Sequence, residues 1–324
     1  MRTIHVRLSA VLLFIVAVIT AGIVCAAAAD PFKETAVSVA IPGASLSGTL
    51  TLPEGSGPFP VALIIAGSGP IDRDGNSAGG ITSDAYKLLA HGLASHGIAT
   101  LRYDKRGVGS SVVTMAESQL RFDDFVNDAL AWTHFLEKDR RFRRVAIVGH
   151  SEGSLIGMVA AQRDPNVAAF VSLEGPGRRL SDIIEEQIRA SGASQQIVDE
   201  VVSADKLLVA GEPVPSPDPQ LAALFRPSVQ PYLISEYKYD PAVEIAKLTI
   251  PVAIVQGTTD IQTGVVDAKR LAAADKRAKL DLIDGMNHML RDAPVDRIQN
   301  LATYSEPSLP LDTRLLPMLA TFLQ

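Results

Sequence analysis

Thiols are almost missing from this chain: its 324 residues include one cysteine, Cys25. A lone cysteine excludes a disulfide framework. Runs of like charge are missing too, for the formal charge of −6 is spread along the sequence without an acidic or basic tail. No nucleic-acid footprint is therefore visible, and a small or neutral partner fits better. Internal repeats are absent, and no second long apolar span follows the first one at the amino terminus.

That first span is informative. Arg2 and Arg7 precede an almost wholly apolar run from Leu8 to Val24, followed by Ala26-Ala27-Ala28-Ala29, with no acid before Asp30. Positive n-region, apolar h-region and small-residue cleavage site are the parts of a secretory signal peptide, so residues 1–29 are expected to be removed and the protein to be periplasmic or secreted. Removal deletes two arginines and no acid, moving the charge from −6 to −8. The alternative is a membrane anchor through residues 8–24, which approach the roughly 18–20 residues that span a bilayer. Cleavage would also take away Cys25, excluding cysteine catalysis in the mature chain. Ile23-Val24 stand where a lipoprotein signal places a small residue, so lipidation is not expected.

With 47% apolar and 20% charged residues, the remainder can bury a full-sized core. Short Val- and Ile-rich runs alternate with longer amphipathic stretches, the pattern of a mostly parallel sheet flanked by helices. Eight strands are predicted: Ala36–Ala40 and Ser45–Leu52 as an antiparallel pair turning at Pro42-Gly43, then Pro60–Ala66, Ile98–Tyr103, Arg144–Val148, Val167–Leu173, Pro251–Gln256 and Leu280–Ile283. Helices are predicted at about 83–95, 123–138, 152–162, 265–274 and 315–323. The alternation breaks over 175–248, where Ile183, Ile184, Ile188, Val201 and Val202 recur at helical spacing. Pro213, Pro215, Pro217 and Pro219 in that stretch demand an extended loop. The expected organisation is a core of 30–174 and 249–324 carrying a helical cap over 175–248.

The strand at 144–148 runs into Gly149-His150-Ser151-Glu152-Gly153 and then an apolar helix. A G-x-S-x-G turn between strand and helix holds its serine exposed in a strained conformation, with glycines where side chains would clash. The bare motif is weak evidence; the strand-turn-helix context strengthens it against the reading of Ser151 as an ordinary helix cap. A serine hydroxyl needs a base within hydrogen-bond reach. Of six histidines only His288 follows Ser151, in Gly285-Met286-Asn287-His288 just past the last strand. His5 falls in the signal segment, and His91, His96, His134 and His150 read as packing or surface residues.

The orienting acid should leave a strand end between serine and histidine, which puts Asp260 first, after Gly257-Thr258-Thr259. Glu174, closing Val167–Leu173, is the main rival and Asp284 a weaker one. An oxyanion hole needs two backbone donors. Glu152 N–H supplies one; Ser68 in Gly67-Ser68-Gly69-Pro70 is the choice for the other, with Gly69 as alternative, since Pro70 has no N–H.

These segments, together with Asp72-Arg73-Asp74-Gly75, Arg102-Tyr103-Asp104-Lys105-Arg106-Gly107 and Gln256-Gly257-Thr258-Thr259-Asp260, resemble bacterial α/β-hydrolase esterases of the serine aminopeptidase-like group. The resemblance spans nearly all of the chain after residue 29. It implies an α/β-hydrolase fold, a loop-stabilising role for 104–107 and a cap in 175–248. The expected activity is hydrolysis of carboxylic esters of small to medium acyl chain through Ser151, His288 and Asp260, with no metal or organic cofactor required. The same triad serves an aminopeptidase, amidase or acyltransferase, and a non-catalytic binding protein on this scaffold is the alternative of a different class. No fingerprint for peptide recognition is evident.

Overall fold

The computed structural model describes residues 31–324. The signal-peptide reading, Cys25 and His5 lie outside the described residues.

Eight strands form the main row of the sheet: β1 Phe32–Ile41, β2 Ala44–Pro53, β3 Phe59–Ile65, β4 Ala99–Tyr103, β5 Phe142–His150, β6 Val167–Leu173, β7 Val252–Gly257 and β8 Lys279–Ile283. Their spatial order is β1-β2-β4-β3-β5-β6-β7-β8. The first two joins are antiparallel and every later one parallel. A ninth strand of two residues, Val112–Val113, pairs with β2 outside this row, and a small hairpin joins Asn76–Ser77 to Ile81–Thr82. The eight predicted strands are thus the eight of the row; the two-residue pieces carry too few residues to show a periodicity.

The parallel strands are buried on both faces, and their side chains sort by alternation. Val61, Leu63 and Ile65 of β3 face one apolar cluster, whereas Ala62 and Ile64 face the other. Val145 and Ile147 of β5, and Val252 and Ile254 of β7, repeat the first set. Ala146, Val148, Ala253 and Val255 repeat the second. On the first face lie helices α2 Phe122–Glu137 and α3 Glu152–Arg163, contributing Phe122, Val126, Trp132, Leu155 and Val159. On the second lie α1 Ala85–Ser95 and the carboxyl-terminal helix Leu315–Leu323, through Leu89, Leu93, Leu315 and Leu319. Each such fully buried side chain is worth about 1.5–3 kcal/mol relative to exposure, so the two clusters dominate the folding energy.

Between β6 and β7 come α4 Leu180–Ala190, α5 Gln195–Val209, α6 Ala222–Phe225, α7 Gln230–Glu236 and α8 Pro241–Ile245. They enclose a third apolar cluster that includes Ile184, Val201, Leu208, Phe225, Leu233 and Tyr237. At the end of this stretch Ile245 and Leu248 leave that cluster and pack into the sheet core. Pro213, Pro215 and Pro217 lie in irregular chain with a bend at Pro215, but Pro219 opens a 3-10 turn capped by Asp218, whose side chain accepts from Gln220 N–H. Proline suits a first helical position because its φ is already set and its missing N–H is not needed there. After β7 come α9 Val265–Ala274, α10 Arg297–Ala302 and the carboxyl-terminal α11 Leu315–Leu323. Among the described residues no helix is long and apolar enough to cross a membrane.

Candidate active site

The turn at Ser151 is forced by packing on both sides. Ser151 has φ 55° and ψ −127°, a region costing an L-residue roughly 1–3 kcal/mol. A Cβ on Gly149 would lie 2.2 Å from the Gly153 carbonyl oxygen, and one on Gly153 would lie 2.3 Å from that of Ile65. Only glycine lets α3 approach β3 and β5 this closely. Ser151 N–H donates to Leu173 C=O at 3.0 Å, which ties the turn to the end of β6. Two other non-glycine residues with positive φ sit beside it, Glu174 at 48° and Leu290 at 63°. The surrounding packing offsets that backbone cost where the chain turns around the site.

His288 and Asp260 are brought together from two loops at the carboxyl end of the sheet. His288 Nδ1 is 2.7 Å from Asp260 Oδ2. Asp260 Oδ1 accepts from Gln262 N–H at 2.7 Å and Thr263 N–H at 3.2 Å, while Gln256 Nε2 donates to Oδ2 at 3.2 Å. Burial works against its charge, but the adjacent imidazole and these donors outweigh it and hold the Asp260 carboxyl well below the usual range. The His288 loop is fixed by Asn287, whose Oδ1 accepts from Met289 N–H at 3.0 Å and whose Nδ2 donates to Thr303 Oγ1 at 2.8 Å.

Glu174 is close by but placed differently. It is fully buried, and its Oε1 accepts from Gly257 N–H at 2.8 Å while Gln256 Nε2 donates to Oε2. Burial and the charge of Asp260 push its carboxyl well above the ordinary range, opposite to the shift of Asp260. Ligand atoms of Glu174, Asp260 and His288 all lie within 4.8 Å of one another, a spacing that would suit a cation. The hydrogen bonds just given already engage these groups, and a cation would compete with the His288–Asp260 contact. Asp284, the third acid considered, accepts from Thr258 Oγ1 at 2.9 Å on the far side of the turn.

The loop after β3 lies over Ser151. A Cβ on Gly67 would come within 2.9 Å of the Ser151 Cβ. The Gly67 N–H donates to Tyr86 Oη at 3.0 Å, so it is already spoken for, and the next peptides in order are those of Ser68 and Gly69. Gly69 has φ 77°, with nothing within 4 Å of a Cβ. Glu152 is the first residue of α3, where an N–H has no intrahelical acceptor.

Three further residues brace this arrangement: Tyr86, which the sequence did not single out, His150, expected as a packing or surface residue, and Lys105, within the segment 104–107 expected to stabilise a loop. Tyr86 Oη, 2.8 Å from His150 Nδ1, donates to it, and His150 Nε2–H donates to His288 C=O at 2.9 Å. That network sets the His150 tautomer. Burial, reinforced by the neighbouring His288, pushes His150 down to about 3, so it stays neutral and neither ring nitrogen is free for chemistry. His150 is therefore a packing residue, as expected, but one that links the start of α1 to the His288 loop. Lys105 is buried, donates to the Gly67 carbonyl and stands 3.6 Å from Glu152. Its sequence neighbour Asp104 accepts from Arg73 N–H and Ser110 N–H at 2.8 Å each, which fixes the neighbouring loops.

Two cavities meet at Ser151. One of about 70 Å³ is lined by Ile71, Tyr86, His150, Ser151, His288 and Met289, among others. The other, of about 410 Å³, lies beneath the inserted helices and includes Ser151, Glu152, Leu155, Ile183, Ile184 and Leu233 in its wall.

The sheet order, the serine on the turn after β5 and the histidine on the loop after β8 define an α/β-hydrolase. Comparison with known proteins agrees. Residues 79–212 match the family model "Serine aminopeptidase, S33". The chain is 28% identical over 269 residues to esterase EstD of Thermotoga maritima, spanning 81% of this chain but only 61% of that enzyme. It is 25% identical over 236 residues to rhodomycin D methylesterase DauP of a Streptomyces species, covering 61% of this chain and 78% of that one. Among solved structures, Est1E of Butyrivibrio proteoclasticus with ferulic acid bound superimposes with a TM-score of 0.56 at 21% identity, over 83% of this chain and 96% of that one. The α/β-hydrolase GrgF of a Penicillium species gives 0.58 at 18% identity, over 90% and 98%. The chain therefore has the α/β-hydrolase fold and is similar to proteins of the esterase and serine aminopeptidase-like group.

Proposed function

We propose that the protein is a serine hydrolase of carboxylic esters, with Ser151 as nucleophile, His288 as general base and Asp260 as the orienting acid. The observation that carries this reading is the 2.7 Å contact between His288 Nδ1 and Asp260 Oδ2, on a histidine that shares the smaller cavity with Ser151. With Nδ1–H held by the carboxylate, Nε2 of His288 is the unprotonated nitrogen available to take the Ser151 proton. Attack of Ser151 Oγ on the carbonyl forms the acyl-oxygen bond. The proton held on Nε2 then goes to the departing alkoxide as the bond from the acyl carbon to it breaks. Water, deprotonated by the same nitrogen, attacks the acyl carbon, and the bond from that carbon to Ser151 Oγ breaks as Nε2 returns the proton to the serine, releasing the acid. Backbone N–H groups of Glu152 and Ser68 stabilise the oxyanion, with Gly69 as the alternative second donor.

Esters are preferred to amides because the relatives named above are esterases and because the larger cavity presents mainly apolar helix faces. The protein is further proposed to act outside the cytoplasm, after removal of residues 1–29. A fluorophosphonate probe tests the chemistry: it should label the folded wild type at neutral pH and leave Ser151→Ala unlabelled. An unlabelled wild type that is folded by circular dichroism would support a binding protein instead. Turnover of p-nitrophenyl esters beside aminoacyl anilides then separates esterase from aminopeptidase.

A further inference from the structure

The two cavities differ about sixfold in volume, and the catalytic groups are not shared equally between them. His288 lines the smaller one and is not part of the wall of the larger. Glu152, whose N–H is placed to hold the oxyanion, lines the larger and not the smaller. Ser151 and Ser68 belong to both. In ester hydrolysis the leaving oxygen must sit where the imidazole can protonate it, and the water of the second step must enter at the same place. The acyl group must extend to the other side of the carbonyl.

From this placement we infer that the substrates are esters of short alcohols with bulky, largely apolar acids: the alcohol of one to about three carbons occupies the chamber bounded by Ile71, Tyr86 and Met289, and the acyl chain fills the cavity beneath the inserted helices. The inference rests on the serine-hydrolase reading above and adds to it the orientation of the ester. It sharpens the expectation of a small to medium acyl chain, since the space available favours the upper end of that range. Once the short alcohol has left, its chamber is free to admit the hydrolytic water without movement of the acyl chain. Ile71 is the residue that limits alcohol length, because it is partly buried on the chamber wall and takes no part in the hydrogen-bond network described above.

Two ester series measured on the full-length mature enzyme test it. The first holds one acid, 3-phenylpropanoate, and varies the alcohol from methyl through butyl to hexyl; the second holds 2-phenylethanol and varies the acid from acetate to octanoate. kcat/KM should fall by about tenfold or more from methyl to hexyl in the first, since each methylene too many for an apolar pocket is discriminated by about tenfold or more. It should rise with acid length in the second, where the acetate of 2-phenylethanol should be the poorest substrate. Ile71→Ala should raise the butyl-to-methyl ratio of kcat/KM, and an unchanged ratio in a folded variant would overturn the assignment of this chamber to the alcohol. Faster hydrolysis of 2-phenylethyl acetate than of methyl 3-phenylpropanoate would reverse the orientation and overturn the inference while leaving the serine esterase intact. Absence of fluorophosphonate labelling would instead remove the reading on which it rests.

Discussion

At the scale of single residues, the acids around His288 show how environment assigns chemistry to identical groups. Asp260 receives five donors, the imidazole and the Thr263 hydroxyl among them, and is held well below the usual carboxyl range; Glu174, at the end of β6, receives two and is raised by burial and by Asp260 itself. Only the first can stabilise an imidazolium. Asp260→Asn should therefore lower kcat on a simple ester by roughly four orders of magnitude while the fold survives, because the charge and the tautomer control are both lost. Glu174→Gln keeps the side chain's shape and an acceptor for the Gly257 N–H and should cost far less. Steady-state kinetics on both variants, with circular dichroism as the fold control, checks this. Near-normal turnover in Asp260→Asn beside collapse in Glu174→Gln would transfer the role to Glu174. Reading along the chain placed Asp260 ahead of Glu174 by its position after a strand, but the protonation of the two depends on burial and on their mutual approach, which spacing does not encode. Tyr86 was invisible for the same reason: it meets His150 across 64 residues of sequence, and nothing local marks the meeting.

Among the elements, the parallel strands were legible because burial on both faces requires continuous Val, Ile and Leu, as in Leu63-Ile64-Ile65 and Ile147-Val148. Helix α10, Arg297–Ala302, was missed because only Asn300 of its residues is buried, so no apolar stripe advertises it. Within the inserted helices, Ile183 and Ile184 line the larger cavity, whereas Val201, which shares their spacing, points into the insertion's own core. That small core carries a buried acid: Asp205 on α5 accepts from Tyr237 Oη at 2.7 Å, and its other oxygen has no partner. Burial, with added repulsion from Glu185 and Asp182, pushes its carboxyl up to about 7. The folded state therefore holds this proton where the unfolded chain, with an aspartate near 3.8, has lost it. Below that value both states are protonated and the group is neutral to stability; as pH rises toward 7 it becomes progressively destabilising, and above 7 the cost is constant. Asp205→Asn keeps an acceptor for Tyr237 and removes the titration. Its Tm should exceed that of the wild type by several degrees at pH 8, at roughly 2–4 °C per kcal/mol for a domain of this size, and match it at pH 4. A Tm difference that does not change between those pH values would assign the effect to packing.

For the whole molecule, the proposed removal of residues 1–29 can be tested against the strand that follows them. β1 begins at Phe32 and pairs along its full length with β2, from Phe32 opposite Pro53 to Ile41 opposite Ala44. Cleavage after Ala29 would leave Asp30-Pro31 ahead of that strand, so every hydrogen bond of the sheet is retained in the processed chain. The same cut removes Cys25, and the remaining 295 residues contain no thiol and carry a formal charge of −8. Processing is thus readable by two independent quantities. Protein recovered from the periplasm or medium should have an intact mass corresponding to a start near Asp30, and should give no reaction with a thiol reagent after denaturation. Its esterase activity should equal, within error, that of a variant produced without residues 1–29, because no catalytic side chain precedes Gly67. Active protein confined to the membrane fraction, with one reactive thiol and the mass of the full chain, would establish an anchor through residues 8–24 in place of a cleaved leader.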